Sequence, residues 1–147
     1  MLPTPEPAQQ TTPRLVATTD EAVRSLGGKS EVSITEFPFK VGRESRSPDT
    51  DRKEFTGLRL NVAPELNDLY LLEPRWSDIL QISREHFAIE STGDGFFLVD
   101  RQSACGTIVA GTVVGGNRTG GRTELRHGDV IVVGLAGSEY AFRFEAH

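Results

Sequence analysis

The chain has 147 residues, with 16 basic and 21 acidic side chains and a formal net charge of −5. An acidic surface argues against a general nucleic-acid binder, whose affinity comes from neutralising phosphates with a basic face. The single cysteine, Cys105, excludes an internal disulfide and any zinc site with more than one cysteine ligand. The length suits one domain with one core, and 15 glycines and 8 prolines favour short strands joined by turns.

The first elements follow a proline-rich start. Residues 1–13 contain four prolines and almost nothing to bury, which predicts a flexible tail before a domain over residues 14–147. This segment lacks the basic start and apolar run of a signal peptide, so a cytoplasmic location is expected. Residues 14–17 read as a strand. A short helix should follow, with Thr18 as its N-cap and Glu21 three residues later, and it should stop at Gly27 and Gly28.

From Glu31 onward, apolar and polar residues alternate with a period of two, which is typical of strands with one buried face. Residues 92–95, with two glycines, predict a hairpin turn, and the polar segments 44–53 and 73–78 predict loops. The predicted strands cover residues 31–37, 39–41, 58–62, 69–72, 87–89, 96–100, 107–109, 112–114, 129–133 and 139–145. Many short strands and no long helix indicate an all-β sandwich or barrel.

Two glycine-containing segments do not match nucleotide-binding motifs. Gly28-Lys29-Ser30 resembles the end of a phosphate-binding P-loop, but Val23 occupies the position that requires glycine. The glycines within residues 115–121 neither form the dinucleotide-binding pattern nor open a helix. The sequence therefore predicts no nucleotide cofactor, and no other cofactor is expected.

Candidate catalytic and metal-binding groups are also weak. Ser83, His86 and Asp100 supply the residue types of a nucleophilic triad, but Ser83 does not lie in the strained turn that exposes such a serine. A metal site would have to draw on His86, His127, His147 and Cys105, which show no ligand spacing. We expect neither an enzyme nor a metal protein.

Four short signals occur in a fixed order. They are Gly42-Arg43 after a predicted strand, Ser83-Arg84-Glu85-His86 before another, the segment from Asp100 to Thr107, and Gly128-Asp129-Val130-Ile131. Together they resemble the forkhead-associated (FHA) domain, and the resemblance covers roughly residues 14–145. It implies a two-sheet β-sandwich of about eleven short strands, with at most one short helix, that binds phosphothreonine peptides through loops at one end.

The resemblance implies a role for each matching position. Arg43 and Ser83 resemble the residues that contact the phosphate, and Arg84 resembles a neighbour that often helps. Ala104 and Cys105 fall in the turn that holds the peptide. Three further positions resemble those that shape or brace the site, and they are Gly42, His86 and Gly106. An arginine fork and a hydroxyl donor suit a phosphate dianion, so the chemistry of these residues agrees.

Two departures from the family pattern bear on affinity. Cys105 stands where the family usually has an asparagine whose amide holds the peptide main chain, and Ala104 stands where a hydroxyl residue is frequent. A thiol is a weak hydrogen-bond partner, so binding of the peptide main chain should be weaker or different. In addition, 39 residues separate Arg43 from Ser83, more than the family usually needs.

The leading hypothesis is therefore an adaptor that binds phosphothreonine-containing proteins or peptides made by an upstream Ser/Thr kinase, with no nucleic-acid or membrane partner. One alternative is a phosphate-independent interaction scaffold with a degenerate site. Another is a switch that binds its own phosphorylated N-terminal segment, for which Thr11, Thr12, Thr18 and Thr19 are candidates. A hydrolase built on Ser83 is the least favoured.

Overall fold

The computed structural model describes residues 12–44, 66–73 and 80–146. Within these ranges the chain forms eleven strands and one short helix. In chain order they are β1 (Arg14–Ala17), α1 (Asp20–Ser25), β2 (Glu31–Ser33), β3 (Phe39–Arg43), β4 (Leu69–Leu71), β5 (Phe87–Thr92), β6 (Gly95–Asp100), β7 (Thr107–Val109), β8 (Thr112–Val114), β9 (Gly121–Leu125), β10 (Val130–Val133) and β11 (Ala141–Glu145).

The strands form two sheets. One has six strands in the order β2-β1-β11-β10-β7-β8, and the other has five in the order β4-β3-β5-β6-β9. β3 and β4 pair in parallel, whereas the other strand pairs of the described residues are antiparallel. The predicted all-β, two-sheet sandwich with one short helix is confirmed.

Alternation along the strands produces the core. On β11 and just before it, Tyr140, Phe142 and Phe144 share the buried face, as their spacing predicts, whereas Arg143 between them is half-buried. Each fully buried large apolar side chain contributes about 1.5–3 kcal/mol, so this layer dominates the stability of the domain. The largest core side chains with no exposed surface come from both sheets and include Leu15, Val41, Leu69, Leu71, Phe87, Ile89, Leu98, Ile131, Val133, Phe142 and Phe144.

Two local predictions need correction. The N-cap of α1 is Thr19, not Thr18: Thr19 is extended and its hydroxyl accepts a hydrogen bond from the Ala22 N–H at 3.3 Å. The Thr18 hydroxyl instead donates to the Ala141 carbonyl. The second correction is β9, which the sequence did not predict. As an edge strand it has only Leu125 fully covered, so its residues show no apolar alternation.

Some predictions lie outside the described residues. These are the strand over residues 58–62, nearly all of the two loops over 44–53 and 73–78, and the tail except for Thr12 and Pro13. Among the described residues, no helix is long and apolar enough to cross a membrane.

Candidate functional site

One end of the sandwich gathers turns from both sheets. β3 ends there at Arg43, β6 also ends there, and β5 and β7 begin there. Two main-chain hydrogen bonds extend the ladder into this end, from the His86 N–H to the Val41 carbonyl at 3.0 Å and from the Arg101 N–H to the His86 carbonyl at 2.8 Å. Antiparallel neighbours run in opposite directions, so one strand ends where the next begins. The first three sequence signals therefore meet at this end of the sandwich, which we call the rim.

Arg43 is fixed at this rim through its backbone and its side chain. Its N–H donates to the Ser83 carbonyl at 2.9 Å, and its Nε–H donates to the Ile82 carbonyl at 2.8 Å. The side chain is half-buried, and the guanidinium makes no other hydrogen bond within the described ranges. Its two Nη groups are therefore donors available to a ligand, on a side chain whose position is already set.

The Ser83 hydroxyl is held in the same way. Its Oγ accepts a hydrogen bond from the Ala104 N–H at 3.0 Å. A serine hydroxyl has two acceptor positions and one donor, so accepting this bond leaves its proton free to donate. Ser83 and Ala104 thus join the second and third sequence signals, and one O–H donor remains on the residue whose carbonyl accepts the Arg43 N–H.

His86 braces this arrangement from within the protein. It is fully buried; its Nδ1 accepts the Ser83 N–H at 2.9 Å, and its Nε2 lies 2.7 Å from the Gly106 carbonyl oxygen. These partners require the neutral tautomer with the proton on Nε2. Burial lowers the pKa of His86 below 6.5, although the Gly106 carbonyl and the Asp100 charge act in the opposite direction. The predicted supporting role of His86 agrees with this geometry.

Arg84 presents its side chain to solvent while its backbone is tied down. Its carbonyl accepts a hydrogen bond from the Asn67 Nδ2 at 2.7 Å. A Cβ on Gly42 would lie 1.9 Å from that carbonyl oxygen and 2.7 Å from the Asn67 nitrogen. Only glycine therefore allows β3 to pass this close, which gives the predicted role of Gly42 a steric cause.

Asn67 is a supporting residue that the sequence analysis missed. It is 1% exposed, and its Oδ1 accepts a hydrogen bond from the Arg101 Nη1 at 2.7 Å. Arg101 also bonds the Glu85 carboxylate at 2.8 Å. Asn67 thereby links β4 to both ends of the β5–β6 hairpin at the rim. The only available signal was an Asn-Asp pair directly before a predicted strand, which is equally typical of an ordinary turn.

The turn from Asp100 to Thr107 is held from inside. The Asp100 carboxylate accepts the Ser103 N–H at 2.9 Å and the Ser103 hydroxyl at 2.6 Å. The Ser103 Oγ in turn accepts the Gly106 N–H at 2.9 Å. With its buried groups satisfied, the turn leaves Ala104 exposed and Cys105 half-exposed. Gly106 has φ +84°, a conformation that favours glycine.

The glycine-rich segment 115–121 packs onto this same turn. A Cβ on Gly115 would lie 2.3 Å from the Asp100 carboxyl carbon, and one on Gly106 would lie 3.3 Å from the Gly115 backbone. Two main-chain hydrogen bonds join the segments, from Asn117 to the Ala104 carbonyl at 2.8 Å and from Arg118 to the Ser103 carbonyl at 2.9 Å. The glycines permit close contact between two segments of the backbone. This packing role does not require the spacing of a nucleotide-binding motif.

The geometry does not support the catalytic alternative. Both nitrogens of His86 are engaged by main-chain groups, so neither is available to take the proton of the Ser83 hydroxyl. Asp100 bonds Ser103 rather than His86. Within the described ranges, no group of three His, Cys, Asp or Glu side chains is placed to hold a metal ion, and His147 lies outside them.

The threonines proposed for a self-binding switch differ in their availability. The Thr19 hydroxyl donates to the Glu139 carbonyl at 2.6 Å and caps α1, and the Thr18 hydroxyl donates to the Ala141 carbonyl at 3.0 Å. A phosphate on either would break these contacts. Thr12 is exposed, and Thr11 lies outside the described residues.

Comparison with known proteins agrees with this fold. Residues 67–134 match the family model described as the FHA domain. The kinase-interacting FHA domain of the kinase associated protein phosphatase of Arabidopsis is 18% identical with a TM-score of 0.58, covering 93% of this chain and 94% of that one. The N-terminal FHA domain of Saccharomyces cerevisiae Rad53p, solved with a phosphothreonine peptide, is 19% identical with a TM-score of 0.55, covering 93% and 94%.

A third structure is longer than this chain. Mycobacterium tuberculosis EmbR, solved in complex with a low affinity phosphopeptide, is 18% identical with a TM-score of 0.55. The match covers 92% of this chain but 24% of EmbR, so the chain spans about a quarter of that protein. No curated protein sequence matches. The chain thus carries a match to the FHA-domain family model over residues 67–134, and its β-sandwich has the same fold as these FHA-domain structures.

Proposed function

We propose that this chain is a phosphothreonine-peptide-binding adaptor module that recognises partners phosphorylated by a Ser/Thr kinase. The observation that carries the proposal is the convergence of Arg43 and Ser83, joined by the main-chain hydrogen bond of 2.9 Å. A fixed guanidinium with two available Nη groups and a hydroxyl with an available proton match the oxygens of a phosphate dianion. Arg84 adds an exposed positive charge at the same rim.

The expected affinity follows from these donors. Each charge-assisted hydrogen bond contributes about 1.5–3 kcal/mol, and two or three of them with peptide contacts give about 8 kcal/mol, or micromolar binding. The Rad53p domain named above is solved with a phosphothreonine peptide, which supports the same ligand class for this chain. The proposed roles are phosphate contact for Arg43, Ser83 and Arg84, and peptide contact for Ala104 and Cys105. Gly42, His86 and Gly106 hold the rim in shape.

Calorimetric titration of phosphothreonine peptide libraries, with unphosphorylated and phosphoserine versions, tests the proposal. Arg43→Ala should lower phosphopeptide affinity at least about tenfold, because it removes a charge-assisted donor. Arg126→Ala is the matched control, because Arg126 is exposed, follows the end of β9 that lies away from the candidate site, and pairs with Glu124. Equal affinity for phosphorylated and unphosphorylated peptides, or equal losses in both variants, would contradict the proposal.

The second candidate is a phosphate-independent scaffold, and it is favoured by the half-exposed Cys105, which stands where the resemblance implies an asparagine that holds the peptide. This candidate predicts a partner whose binding is unchanged by phosphatase treatment and by Arg43→Ala. Pull-down of one labelled partner before and after phosphatase treatment separates the two candidates.

We also propose that residues 14–147 form a single domain. Support comes from the pairing of β1 with β11, which joins the two ends of this range. Limited proteolysis should leave a fragment of this length intact. The half-exposed free thiol of Cys105 supports a reducing, cytoplasmic setting.

A further inference from the structure

Glu73, which follows β4, is bonded to the segment that leads into Ser83. Its two carboxylate oxygens accept two consecutive main-chain N–H groups, that of Gln81 at 2.8 Å and that of Ile82 at 2.9 Å. Hydrogen bonds to a charged carboxylate are about twice as strong as those between neutral groups. The next main-chain N–H, that of Ser83, donates to the His86 Nδ1 at 2.9 Å. Three successive main-chain donors directly before the Ser83 hydroxyl are therefore held by side chains.

Ile82 connects the Glu73 carboxylate to the Arg43 guanidinium. Its N–H donates to Glu73, and its carbonyl accepts the Arg43 Nε–H at 2.8 Å. Ile82 is 2% exposed, so its side chain provides a third point of attachment. Arg43 lies beside Leu71 in the parallel pairing of β3 with β4, and Glu73 comes shortly after Leu71. Two side chains of opposite charge, at the ends of neighbouring strands, thus hold the N–H and the carbonyl of one residue.

The backbone before Glu73 is fixed independently of Ile82. The Leu72 N–H donates to the buried Ser25 hydroxyl at 3.0 Å, and the Leu72 carbonyl accepts a hydrogen bond from the Tyr140 hydroxyl. Ser25 belongs to α1 and Tyr140 directly precedes β11, so both partners come from elements distant in the chain. The carboxylate therefore starts from a fixed position, and it can determine where Ile82 lies.

We propose that Glu73 is a positioning residue for phosphate binding, which fixes the Arg43 guanidinium and the Ser83 hydroxyl through Ile82 before a ligand arrives. This inference rests on the proposed phosphothreonine binding. Donors that are already fixed lose less conformational entropy on binding, so they bind more tightly. The charge of Glu73 has the opposite effect, because a carboxylate near the site repels a phosphate dianion. The sign of the change in affinity therefore distinguishes positioning from charge.

The first test measures binding by calorimetric titration with a phosphothreonine peptide. Glu73→Gln keeps the size of the side chain but has one acceptor oxygen instead of two, so one of the two N–H groups loses its partner. Affinity should fall about threefold to tenfold, although the negative charge has been removed. In an Arg43→Ala background most of this loss should disappear, because Glu73 acts through the residue that holds Arg43. Leu125→Val, in the core at the end of β9 away from the rim, is the stability control and should leave affinity unchanged.

The second test needs no ligand. Nuclear magnetic resonance of the free protein measures hydrogen exchange of the Arg43 Nε–H, which should speed up at least about threefold in Glu73→Gln and stay unchanged in Leu125→Val. If the wild type binds phosphothreonine peptides, equal or higher affinity of Glu73→Gln, or unchanged exchange at Arg43, would overturn this inference alone. Failure of the wild type to bind any phosphothreonine peptide would overturn the proposed function, and with it the role of Glu73 in binding.

Discussion

Replacing the buried Asn67 by alanine should destabilise the rim, because Asn67 holds it by two hydrogen bonds. The substitution removes two hydrogen bonds, to the Arg84 carbonyl at 2.7 Å and from the Arg101 guanidinium at 2.7 Å. It leaves the partly buried Arg84 carbonyl without this donor. The guanidinium of Arg101 retains its bonds to Glu85 and to the Leu66 carbonyl.

The magnitude follows from those two bonds. A neutral hydrogen bond contributes about 1 kcal/mol and one to a charged group about 1.5–3 kcal/mol, so the free energy of unfolding should fall by about 2–4 kcal/mol. For a domain of this size each kcal/mol corresponds to about 3–4 °C in the unfolding midpoint. The midpoint should therefore drop by about 6–16 °C.

Urea denaturation and thermal unfolding measure the loss of stability. Titration with the best phosphopeptide, at a temperature below the new unfolding midpoint, measures affinity. Phosphopeptide affinity should also fall, because the turn that carries Ser83 and Arg84 loses its tie to β4. Ser33→Ala, at an exposed position on the edge strand β2, is the control and should shift the free energy of unfolding by less than about 0.5 kcal/mol. A loss below about 1 kcal/mol in Asn67→Ala would refute the assignment of Asn67 as the link between β4 and the rim.

Three further predictions concern single residues of the site. Gly42→Ala should lower the free energy of unfolding by at least about 3 kcal/mol, because its Cβ would lie 1.9 Å from the Arg84 carbonyl oxygen. Gly93→Ala is the control and should be nearly neutral, because no atom lies within 4 Å of its Cβ. Equal stabilities of the two variants in urea would contradict the steric argument. Because the pKa of His86 is lower in the folded state than its ordinary 6.5, this group's contribution to stability is present above pH 6.5 and is lost as the pH falls below it. Nuclear magnetic resonance titration of the imidazole should therefore give a midpoint below 6.5, and a midpoint at or above that value would be inconsistent with a neutral, buried ring. Cys105→Asn should strengthen phosphopeptide binding in calorimetric titration, since an amide both donates and accepts hydrogen bonds; unchanged affinity would favour the phosphate-independent scaffold.

The sequence was sufficient for the class of fold and for several individual elements. β1 matches its predicted bounds, and the hairpin at residues 92–95 joins β5 and β6 as expected. Alternation reports burial directly where a strand has one face on the core, as in β11. It carried no information for β9, whose edge position leaves most of its side chains exposed.

The residues of the candidate site also divide into those that sequence motifs predicted and those that only the structure revealed. The resemblance to the FHA domain, which short motifs carry, named Arg43, Ser83, Arg84 and His86 as candidate site residues. Their spacing along the chain said nothing of the hydrogen bonds that bring them together. Asn67 carried no motif, since it acts through Arg84 and Arg101, which are distant in the chain.

The sequence by itself predicted an all-β sandwich or barrel from its periodicity, because periodicity is a local property. The resemblance carried by its short motifs narrowed this prediction to a two-sheet sandwich with candidate site residues at one end. Only the tertiary structure decided three features of the site. They are the contacts that hold the turn carrying Cys105, the tautomer of His86, and the packing of the glycine-rich segment on the turn from Asp100 to Thr107. These depend on contacts between strands that are far apart in the chain. At Gly42 and Gly115 the decisive quantity is the distance between two backbones, and that distance exists only once the sheets have assembled.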